Sequence, residues 1–584
     1  MHPSEPQLLF EFPNEQGTVE PLSFTDPVET IVADHVTQVL SALKQIRQRV
    51  KQGYFAAGYI SYEASPAFDP TYQVHENREL PLLWFGIYEA PSQNVTLQTD
   101  RWFQLGEWKM CTDTSVYRKQ ISAIKQAIAE GATYQTNYTV RMQAEFAGND
   151  YSFYQKMTEN HAGYHAYLNI GRHRILSASP ELFFRWDGNK IVTRPMKGTS
   201  ARGRWMEEDE AKAAELLASA KERAENVMIA DLLRNDLGRI AKTGSVKTKQ
   251  MFAIERYPTV LQMTTTVEAE TKDRVELEDV FRALFPCGSV TGAPKVNTIR
   301  LIQELEDSAR EVYCGAIGMI KPGGEAVFNV PIRTVVIDSK VNRAAYGVGG
   351  GIAWDSTAEA EAREVMTKAR MLTEKQPLFD LLESLKLENG EYVLLERHLR
   401  RLQDSADYFS FPVDLQEVKR RLNVFADNHQ EEGYKVRLLI SRKGSIVVEG
   451  SPLTPIADYN DVILAENPVS KDHVFLYHKT THRSVYETHR KENEKAFDVL
   501  LWNEEGELTE FTNGNLVMEM EGYLLTPPRA SGLLNGTFRE QLLEDGVLGE
   551  RILKKEDLRR ATNIWLINSV RGWVKVNIVM NAID

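Results

Sequence analysis

The spacing of apolar residues switches repeatedly between strand-like runs and helical periodicity, and this predicts a mixed fold. "YFAAGYISYEA" and "RILSASPELFFRW" have the length and composition of strands. "VYRKQISAIKQAIAEG" repeats Ile121, Ile124 and Ile128 at helical spacing. We also expect helix over residues 207–239 and around residues 295–309. The first part of the chain therefore predicts an α+β fold.

The pattern restarts after the charged helix "STAEAEAREVMTKARMLTEK". There "QPLF" places a proline before a fresh apolar run, which is typical of a domain boundary. Beyond it we predict the helix "ERHLRRLQDSADYF", the strands "YKVRLLISRKG", "SIVVEG" and "FLYHKTT", and a turn at residues 504–506 within "FDVLLWNEEGELTEF". No internal repeat relates the two halves. We predict two different α+β domains, residues 1–375 and 376–584.

Composition excludes several classes of function. A chain of 584 residues is too long for a single core, and its net charge of -13 repels nucleic acid. Cys111, Cys287 and Cys314 are too few and too scattered for a disulfide framework or a zinc site. The start has no basic segment followed by an apolar run, and no apolar stretch has membrane-spanning length. We expect a cytoplasmic protein without nucleic-acid or membrane partners.

A predicted hairpin brings a carboxylic acid close to an amine. If "DGN" forms the loop, Trp186 lies opposite Lys190 and Glu181 lies opposite Pro195. Glu181 and Lys197 then share one face as diagonal neighbours, with Cα atoms about 7–8 Å apart. On these residues alone, an ordinary surface salt bridge is the favoured interpretation of the pair.

Three further carboxylates have spacings that fit a cation site. Glu225 lies one turn before apolar residues of its helix, and Glu361 and Glu364 are three residues apart on another helix. Magnesium prefers one or two carboxylates, with water and substrate as its other ligands. The alternative is a solvated face on which Glu364 pairs with Lys368.

The motifs around these residues are similar to those of the chorismate-binding enzymes. "YQTNYT", "SASPELFFR", "RPMKGT", "KERAENVMIADLLRNDLGR", "FPCGSVTGAPK", "YCGAIG", "NVPIRT" and "GVGGGIAWDSTAEAEAREV" occur in that family's order over residues 50–373. The resemblance implies an anthranilate synthase-like sheet-and-helix domain. Aminodeoxychorismate synthases carry Pro-Ile-Lys-Gly-Thr where anthranilate synthases have alanine for the lysine. This chain resembles the former, with Met196 replacing isoleucine.

The resemblance implies a chemical role for each of these groups. Lys197 would add as a neutral amine to carbon 2 of chorismate and expel the 4-hydroxyl, after which ammonia attacks carbon 4 and releases the lysine. Glu181 would be the general acid for the departing oxygen. Glu225 and Glu364, with Glu361 beside them, would hold Mg²⁺.

The family motifs also mark positions that would contact the substrate. These are Arg333, Tyr313, Gly288, Thr291, Gly349, Gly351 and Gln135. Members that activate water have a lysine where this chain has Gln135, so isochorismate formation is disfavoured. No cysteine lies in the glycine-flanked setting of a glutaminase, so we expect a separate glutamine amidotransferase subunit, or free ammonium, to supply ammonia.

The second half resembles the fold type IV pyridoxal-phosphate enzymes. "ERHLRRLQDSA", "HKTTHR", "GELTEFTNGNL" and "SGLLNGTFRE" occur in that group's order over residues 378–584. The resemblance implies that Lys479 carries pyridoxal 5'-phosphate covalently and that Glu510 keeps the pyridine nitrogen protonated. It also implies further cofactor contacts by Arg401, Asn513, Gly536, Thr537 and Ser569. Without these neighbouring motifs, a surface lysine would be the favoured interpretation of Lys479.

These motifs do not separate a lyase from an aminotransferase. Fusion to an aminodeoxychorismate-forming domain favours a lyase that releases pyruvate and yields 4-aminobenzoate, and thus an enzyme of folate synthesis. The alternatives are an anthranilate-forming domain joined to an aminotransferase, and a non-catalytic metabolite-binding or scaffold protein. Fold type IV enzymes are often dimers, so we expect a homodimer through the second domain.

Overall fold

The computed structural model describes residues 7–92, 102–159, 163–371, 377–430, 433–455, 460–493 and 495–579. The chain divides into two compact units. The first consists of Met1–Ala201 and Ala213–Gln376, and the second of Arg202–Lys212 and Pro377–Asp584. The predicted boundary at residues 375 and 376 lies outside the described residues. Within the described ranges, no helix combines the length and apolarity needed to cross a membrane.

The first unit contains two large, mainly antiparallel sheets, and strand Gln135–Gly148 is the longest strand of the first sheet. The neighbours along this sheet are Gly292–Ala293, Gln135–Gly148, Arg343–Ile352, Thr334–Asp338, His173–Ser179, Tyr164–Asn169, Gln7–Glu11 and Leu22–Thr25, and Phe103–Leu105 and Lys109–Met110 also pair with Gln135–Gly148.

The second sheet carries the predicted hairpin. The neighbours along it are Met196–Ala201, Val260–Glu270, Lys190–Arg194, Leu182–Trp186, Ala326–Asn329, Ala316–Ile320, Phe55–Ile60, Leu83–Tyr88 and Glu29–Ala33, and Lys247–Arg256 also pairs with Val260–Glu270. A core of buried aromatic and aliphatic side chains, including Phe184, Phe281 and Phe328, packs against it.

The helices of the first unit bury one apolar face, as their periodicity predicts. Helix Thr114–Ala129 begins where Asp113 caps the Ser115 N–H, and it buries Ile121 and Ile124. The helices of this unit are Val36–Lys51, Thr114–Ala129, Asp150–Thr158, Ala220–Gly238, Leu277–Leu284, Lys295–Leu305 and Ala358–Met371.

The helix predicted over residues 207–239 is two helices. Met206–Ala218 and Ala220–Gly238 are separated by Ser219, whose side chain accepts the N–H of Glu222 and so caps the second helix. A serine oxygen satisfies backbone donors at a helix start, and this favours a new helix over a continuous one.

The two sheets are joined at the residues predicted to carry chemistry. "RILSASPELFFRW" is two strands, His173–Ser179 in the first sheet and Leu182–Trp186 in the second. Pro180 lies between them and cannot donate a ladder hydrogen bond, so the chain leaves one sheet there and enters the other. Glu181 lies at this crossing, and its carbonyl accepts the Val330 N–H at 3.1 Å.

The predicted hairpin register is wrong at the turn. Trp186 pairs with Ile191 rather than with Lys190, and an irregularity between residues 182 and 185 restores the predicted register, so that Leu182 pairs with Arg194. The bulge absorbs the residue that the longer turn adds. At the end near Glu181 the predicted register therefore applies.

The second unit has a small antiparallel sheet and a larger mixed sheet. The small sheet runs Glu391–Tyr392, Leu381–Glu388, Tyr434–Ile440 and Ile446–Pro452. The large sheet runs Gly549–Glu550, Tyr523–Thr526, Gly514–Met520, Leu508–Phe511, Asp498–Trp502, Asp461–Leu464 and Asn577–Val579, with Asn563–Asn568 pairing with Gly514–Met520 and with Gly572–Lys575. Its helices are Leu395–Phe409, Leu415–Asp427, Ser484–Lys491 and Thr537–Glu544. Helix Met206–Ala218 begins in this unit and ends in the first unit's sequence.

The strand predicted for "FLYHKTT" is wrong. Val474–Leu476 is a short 3-10 helix, and Lys479 follows it in an irregular segment. The Lys479 carbonyl accepts the Leu382 N–H at 3.0 Å, and Thr480 forms an isolated bridge with Leu381. Lys479 is thus fixed by its backbone rather than by membership of a strand.

Candidate active sites

Glu181 is a buried carboxylic acid in the first unit. Its side chain accepts hydrogen bonds from the Ser289 hydroxyl, at 2.7 Å, and from the Met196 N–H. Burial disfavours the charged form and raises the pKa of Glu181 to about 7, although both hydrogen bonds oppose the shift. The group therefore holds a proton near neutral pH, as a general acid requires.

Lys197 points to a second carboxylate, not to Glu181. Its Nζ lies 3.1 Å from Oε2 of Glu225, and both side chains are about one-fifth exposed. Asn226, next to Glu225, donates to the Lys197 carbonyl at 2.9 Å. Helix Ala220–Gly238 therefore fixes both the backbone and the amine of this lysine.

The side chains of Lys197 and Gln135 pack closely against Gly351. A Cβ added to Gly351 would stand 2.7 Å from Nζ of Lys197 and 2.1 Å from Nε2 of Gln135. Gln135 is 2% exposed, and within the described ranges its buried Oε1 accepts no hydrogen bond. An unsatisfied buried acceptor calls for a partner, and a bound molecule can supply one.

Glu361 and Glu364 lie together beside Gly350. A Cβ on Gly350 would stand 3.3 Å from an oxygen of Glu361 and 3.8 Å from one of Glu364. Burial and the nearby charge of Glu364 raise the pKa of Glu361. Glu364 also pairs with Lys368 at 2.7 Å, which is the ion pair that the alternative, a solvated helix face, predicts.

The three predicted metal ligands do not form one tight cluster. Among the described residues, the group whose ligand atoms all lie within 4.8 Å of one another is instead Glu79, His173 and Asp338. Arg172 pairs with Asp338 and Arg343 pairs with Glu79, so arginines already neutralise that group. The carboxylates of Glu225, Glu361 and Glu364 are hard oxygen donors, the type of ligand that Mg²⁺ prefers, although Glu225 and Glu364 each pair with a lysine.

The predicted substrate contacts occupy buried or close-packed positions. Arg333 has a left-handed backbone, with φ 49°, and within the described ranges its guanidinium has no ion-pair partner. Tyr313 is buried beside Gly347, and Arg141 stacks over its ring at 5.1 Å. A Cβ on Gly288 would collide with Leu232 at 2.4 Å, and Thr291 is fully buried. A Cβ on Gly349 would meet the carbonyl oxygen of Tyr138 at 2.1 Å.

The second unit contains a cavity of about 590 Å³. All seven residues predicted to contact a cofactor line it: Arg401, Lys479, Glu510, Asn513, Gly536, Thr537 and Ser569. Residues from distant parts of the sequence thus converge on one space that is large enough for a small organic molecule.

Lys479 has the properties of a reactive amine. Burial disfavours its charged form, and the positive charges of Arg401 and Arg483 act in the same direction. Together they lower the pKa of Lys479 to about 7, although Glu383 and Glu510 oppose the shift. A large fraction of the amine is therefore unprotonated near neutral pH.

Glu510 is held by three donors in the same cavity. Its carboxyl accepts the Tyr486 hydroxyl at 2.7 Å, the Leu534 N–H at 3.1 Å and the Asn515 amide at 3.2 Å. Burial raises the pKa of Glu510 to about 7 in spite of these hydrogen bonds. A partner that is protonated and positively charged would restore its negative charge.

Arg401 is fixed at the start of helix Thr537–Glu544. Its guanidinium makes two hydrogen bonds to Glu383, at 2.6 and 2.9 Å, and one to the Asn535 carbonyl. Burial alone would raise the pKa of Glu383, but Arg401 and His398 outweigh it and lower this pKa to about 2. The helix start and the arginine together suit a phosphate group.

Sequence reasoning missed four cationic residues that line the cavity. They are Lys435, Arg437, Arg483 and Arg571. Lys435 and Arg437 are two residues apart on strand Tyr434–Ile440 and so share one face. This alternation was visible in "YKVR", but a period-two pair of cations on a half-exposed strand is common, and only the fold places it in the cavity.

Two protein families match the chain. The sequence model described as chorismate binding enzyme matches residues 5–374, and the one described as amino-transferase class IV matches residues 380–579. Chorismate binding enzymes use Mg²⁺, and a class IV domain implies pyridoxal phosphate. The residues of both sites fit these groups, through the carboxylates near Lys197 and through the amine, carboxyl and helix start in the cavity.

Similar proteins are known for the first unit. Aminodeoxychorismate synthase component 1 of Escherichia coli (strain K12) is 37% identical over 285 residues, 48% of this chain and 61% of that protein. The corresponding protein of Bacillus subtilis (strain 168) is 39% identical over 43% of this chain and 54% of that protein. Anthranilate synthase component 1 of Methanothermobacter marburgensis is 32% identical over 54% of this chain and 73% of that protein. The chain thus spans about three-fifths or less of the first two relatives.

A solved structure shares the fold of the first unit. Anthranilate synthase component I from Streptococcus pneumoniae TIGR4 has a TM-score of 0.52 and 24% identity, covering 64% of this chain and 93% of that chain. At this identity the likeness concerns the fold alone. The expected anthranilate synthase-like architecture is confirmed.

Proposed function

Because the chain belongs to the family of chorismate binding enzymes, we propose that its first unit converts chorismate to 4-amino-4-deoxychorismate and that its second unit converts this product to 4-aminobenzoate and pyruvate. The observation that carries the proposal is the position of Lys197. Its Nζ lies 3.1 Å from Oε2 of Glu225, and its side chain packs with that of Gln135 against Gly351.

The first reaction needs a nucleophile and an acid. The neutral amine of Lys197 forms a bond to carbon 2 of chorismate, the ring double bonds shift, and the bond from carbon 4 to its hydroxyl oxygen breaks. Glu181 supplies the proton with which that oxygen leaves as water. Ammonia then bonds to carbon 4, the double bonds shift back, and Lys197 leaves carbon 2 with its electron pair returned to nitrogen.

The surrounding residues hold chorismate for these steps. Arg333, without an ion-pair partner among the described residues, suits a carboxylate of the substrate. Gln135 cannot act as a base, so water is not activated from its position. Mg²⁺, when bound, supplies a positive charge that neutralises the ring carboxylate.

The second reaction needs a base and a site for two carboxylates. Lys479, with its pKa lowered to about 7 by burial and by Arg401 and Arg483, removes the proton from carbon 4 of aminodeoxychorismate. The electron pair left at carbon 4 forms a double bond to carbon 3, the bond from carbon 3 to the ether oxygen breaks, and the ring becomes aromatic. The group that leaves is the enolate of pyruvate, which takes up a proton at its methylene carbon to give pyruvate. Pyridoxal phosphate, when bound, supplies an electron sink for carbon 4. Glu510 and Arg401 would hold it.

Beyond Arg401 and Lys479, four further basic residues line the cavity, and they favour this substrate over a simple amino acid. Aminodeoxychorismate carries two carboxylates. Arg437 pairs with Glu449 at 3.0 Å, whereas Lys435, Arg483 and Arg571 have no ion-pair partner within the described ranges and can supply positive charge for both carboxylates. A chain that aminates chorismate also produces that dianion itself. An aminotransferase with an anthranilate-forming partner domain is the alternative that the experiment must distinguish.

Identification of the products tests both halves. The purified protein is incubated with chorismate, MgCl₂ and ammonium chloride, with and without pyridoxal phosphate, and the products are identified by mass spectrometry. We expect 4-aminobenzoate and pyruvate in equal amounts, and aminodeoxychorismate alone from Lys479→Ala. Anthranilate would overturn the first half, and aminodeoxychorismate that the intact chain never converts would overturn the second.

The proposal extends to partners and location. We propose that a separate glutamine amidotransferase subunit supplies ammonia, as the "component 1" names of the relatives imply, with free ammonium as the substitute. We also propose a homodimer through the second unit, measurable by sedimentation, and a cytoplasmic location, consistent with the free thiols of Cys111, Cys287 and Cys314.

A further inference from the structure

A segment of the first family's sequence belongs structurally to the second unit. Residues Arg202–Lys212, here called the arm, lie within the stretch matched by the chorismate binding enzyme model. They nevertheless cluster with Pro377–Asp584. The arm begins five residues after Lys197 in the sequence.

The arm has a defined internal conformation. Asp209 is fully buried and accepts hydrogen bonds from Nε of Arg202, at 2.6 Å, and from the Gly203 N–H, at 2.9 Å. A Cβ on Gly203 would stand 2.1 Å from the backbone nitrogen of Asp209, so only glycine fits there. The arm is therefore a well-packed, hydrogen-bonded part of the second unit.

The arm binds the two residues that precede Lys479. The guanidinium of Arg204 donates to the Tyr477 hydroxyl at 3.0 Å, and the ring of Trp205 lies 5.0 Å from the ring of Tyr477. The carbonyl of Arg204 lies 3.1 Å from Nε2 of His478. Arg204 also donates to backbone carbonyls of residues 471 and 530, so it is anchored on several sides.

His478 is held in one orientation by this contact. Because a carbonyl only accepts, Nε2 must carry the hydrogen donated to Arg204. Nδ1, which lies 3.0 Å from the Ser405 hydroxyl, then accepts from it. The ring is buried, and burial lowers the pKa of His478 to about 3, so the ring is neutral. One hydrogen bond from the arm and one from helix Leu395–Phe409 fix the residue adjacent to Lys479.

A second anchor holds the same surface of the arm. The Tyr408 hydroxyl donates to the Gly203 carbonyl at 2.6 Å, and Arg202 stacks over the Tyr408 ring at 4.2 Å. Arg529 pairs with Glu207 at 3.1 Å. The contacts with Tyr408 and Arg529 hold the arm against the rest of the second unit. Its contacts with Tyr477 and His478 hold the segment that leads to Lys479.

We propose that the arm positions Lys479 for the second reaction, with Arg204 and Trp205 acting through Tyr477 and His478. The inference rests on the proposed function, since it treats Lys479 as the reactive amine. On this proposal, residues 376–584 do not contain every residue that supports their active site. Residues 202–212, which lie in the sequence matched by the first family, supply the rest.

The test uses the full chain with paired variants. Arg204→Ala combined with Trp205→Ala removes the side-chain anchors, and His478→Phe removes the hydrogen bond to the arm. His478→Gln keeps an N–H donor for the Arg204 carbonyl. Glu210→Ala changes an exposed residue of the same arm and is the matched control.

Two readouts do not depend on turnover. The first is hydrogen exchange of peptides spanning residues 474–484 in cofactor-free protein, with strand Tyr434–Ile440 as the internal reference. The second is the pH at which the visible absorbance of bound pyridoxal phosphate changes. We expect faster exchange and a shifted absorbance midpoint in the double variant and in His478→Phe, and values near the parent chain in His478→Gln and Glu210→Ala.

The rates then separate positioning from general damage. We expect 4-aminobenzoate formation to fall roughly ten- to a hundred-fold in the double variant, because misplacing a reacting group by about 1 Å has effects of that size. Formation of aminodeoxychorismate should stay within about two-fold of the parent. Unchanged exchange and absorbance in both the double variant and His478→Phe would overturn the proposal.

Two further outcomes of the experiment also have a defined interpretation. If the double variant loses both reactions because it does not fold, the comparison of His478→Phe with His478→Gln replaces it, and equal behaviour of those two would overturn the proposal. If the parent chain forms no 4-aminobenzoate, the proposed function fails, whereas exchange and absorbance still report whether the arm positions Lys479.

Discussion

The two units each contain a lysine and a buried carboxylic acid, but they control the lysine in different ways. Lys197 forms a salt bridge with Glu225 at 3.1 Å, whereas Lys479 lies among Arg401 and Arg483 and has its pKa lowered to about 7. In the second unit the protein itself favours the neutral amine, through burial and neighbouring cations. In the first unit the amine instead lies against a carboxylate, and it must leave that contact before it can bond to a substrate.

The two acids show the same contrast. Burial raises the pKa of both Glu181 and Glu510 to about 7. The Ser289 hydroxyl and the Met196 N–H hold the carboxyl of Glu181. Three donors hold the carboxyl of Glu510 in a cavity that suits a cationic ring nitrogen. Equal pKa values therefore allow different tasks, one donating a proton and the other stabilising a charge.

The largest effect is expected from Lys479→Ala. Removing the base and cofactor-bearing amine should lower 4-aminobenzoate formation about 10⁴-fold, the upper range for loss of a general base, while aminodeoxychorismate accumulates at the parent rate. Product quantification in excess pyridoxal phosphate checks this. Lys491→Ala, at an exposed position, is the control. A variant that still releases pyruvate would show that another base serves the second unit.

Lys197→Gln tests the other lysine and should leave the second unit intact. We expect amination of chorismate to fall about 10³-fold, because the nucleophile is lost while the substrate contacts and Glu181 remain. Supplied aminodeoxychorismate should still be converted at the parent rate. Lys190→Gln removes an exposed lysine that pairs with Glu268 at 2.9 Å, and it should change neither rate by more than about two-fold. Amination that survives in Lys197→Gln would contradict a covalent route.

Glu181 should impose a pH limit on the first reaction. Burial raises its pKa to about 7, so the proton that it donates is present below that pH and is lost above it. With the concentration of unprotonated ammonia held constant, amination should decline as pH rises through about 7. Glu181→Gln should be about 10²-fold slower and should lack this decline. A parent profile that stays level to pH 9 would exclude Glu181 as the acid.

Local patterns in the sequence predicted many of the elements, although the strand at "FLYHKTT" was wrong, and motif order predicted which residues of the second unit converge. Helix Thr114–Ala129 and the convergence of Lys479 and Glu510 on one cavity follow from periodicity and from family motifs. Three features could not be predicted, because they depend on contacts between distant residues. These are the break at Pro180 that sends two strands to different sheets, the pairing of Lys197 with Glu225, and the docking of residues 202–212.

The smallest effect is expected from Arg571→Gln, which tests the positive charge that lines the cavity of the second unit. Arg571 lines the cavity and donates to residue 454, and it is one of six lysines and arginines in the lining. Arg571→Gln should raise the KM for aminodeoxychorismate about ten-fold, because it removes one charge-assisted contact to a carboxylate, and it should change kcat by less than about two-fold. Steady-state kinetics with product collected from the Lys479→Ala variant measures both. Arg560→Gln, at an exposed pair with Glu521, is the control. A fall in kcat with KM unchanged would place Arg571 at the reacting atoms instead, and the cationic lining would then no longer distinguish a dianion from an ordinary amino acid.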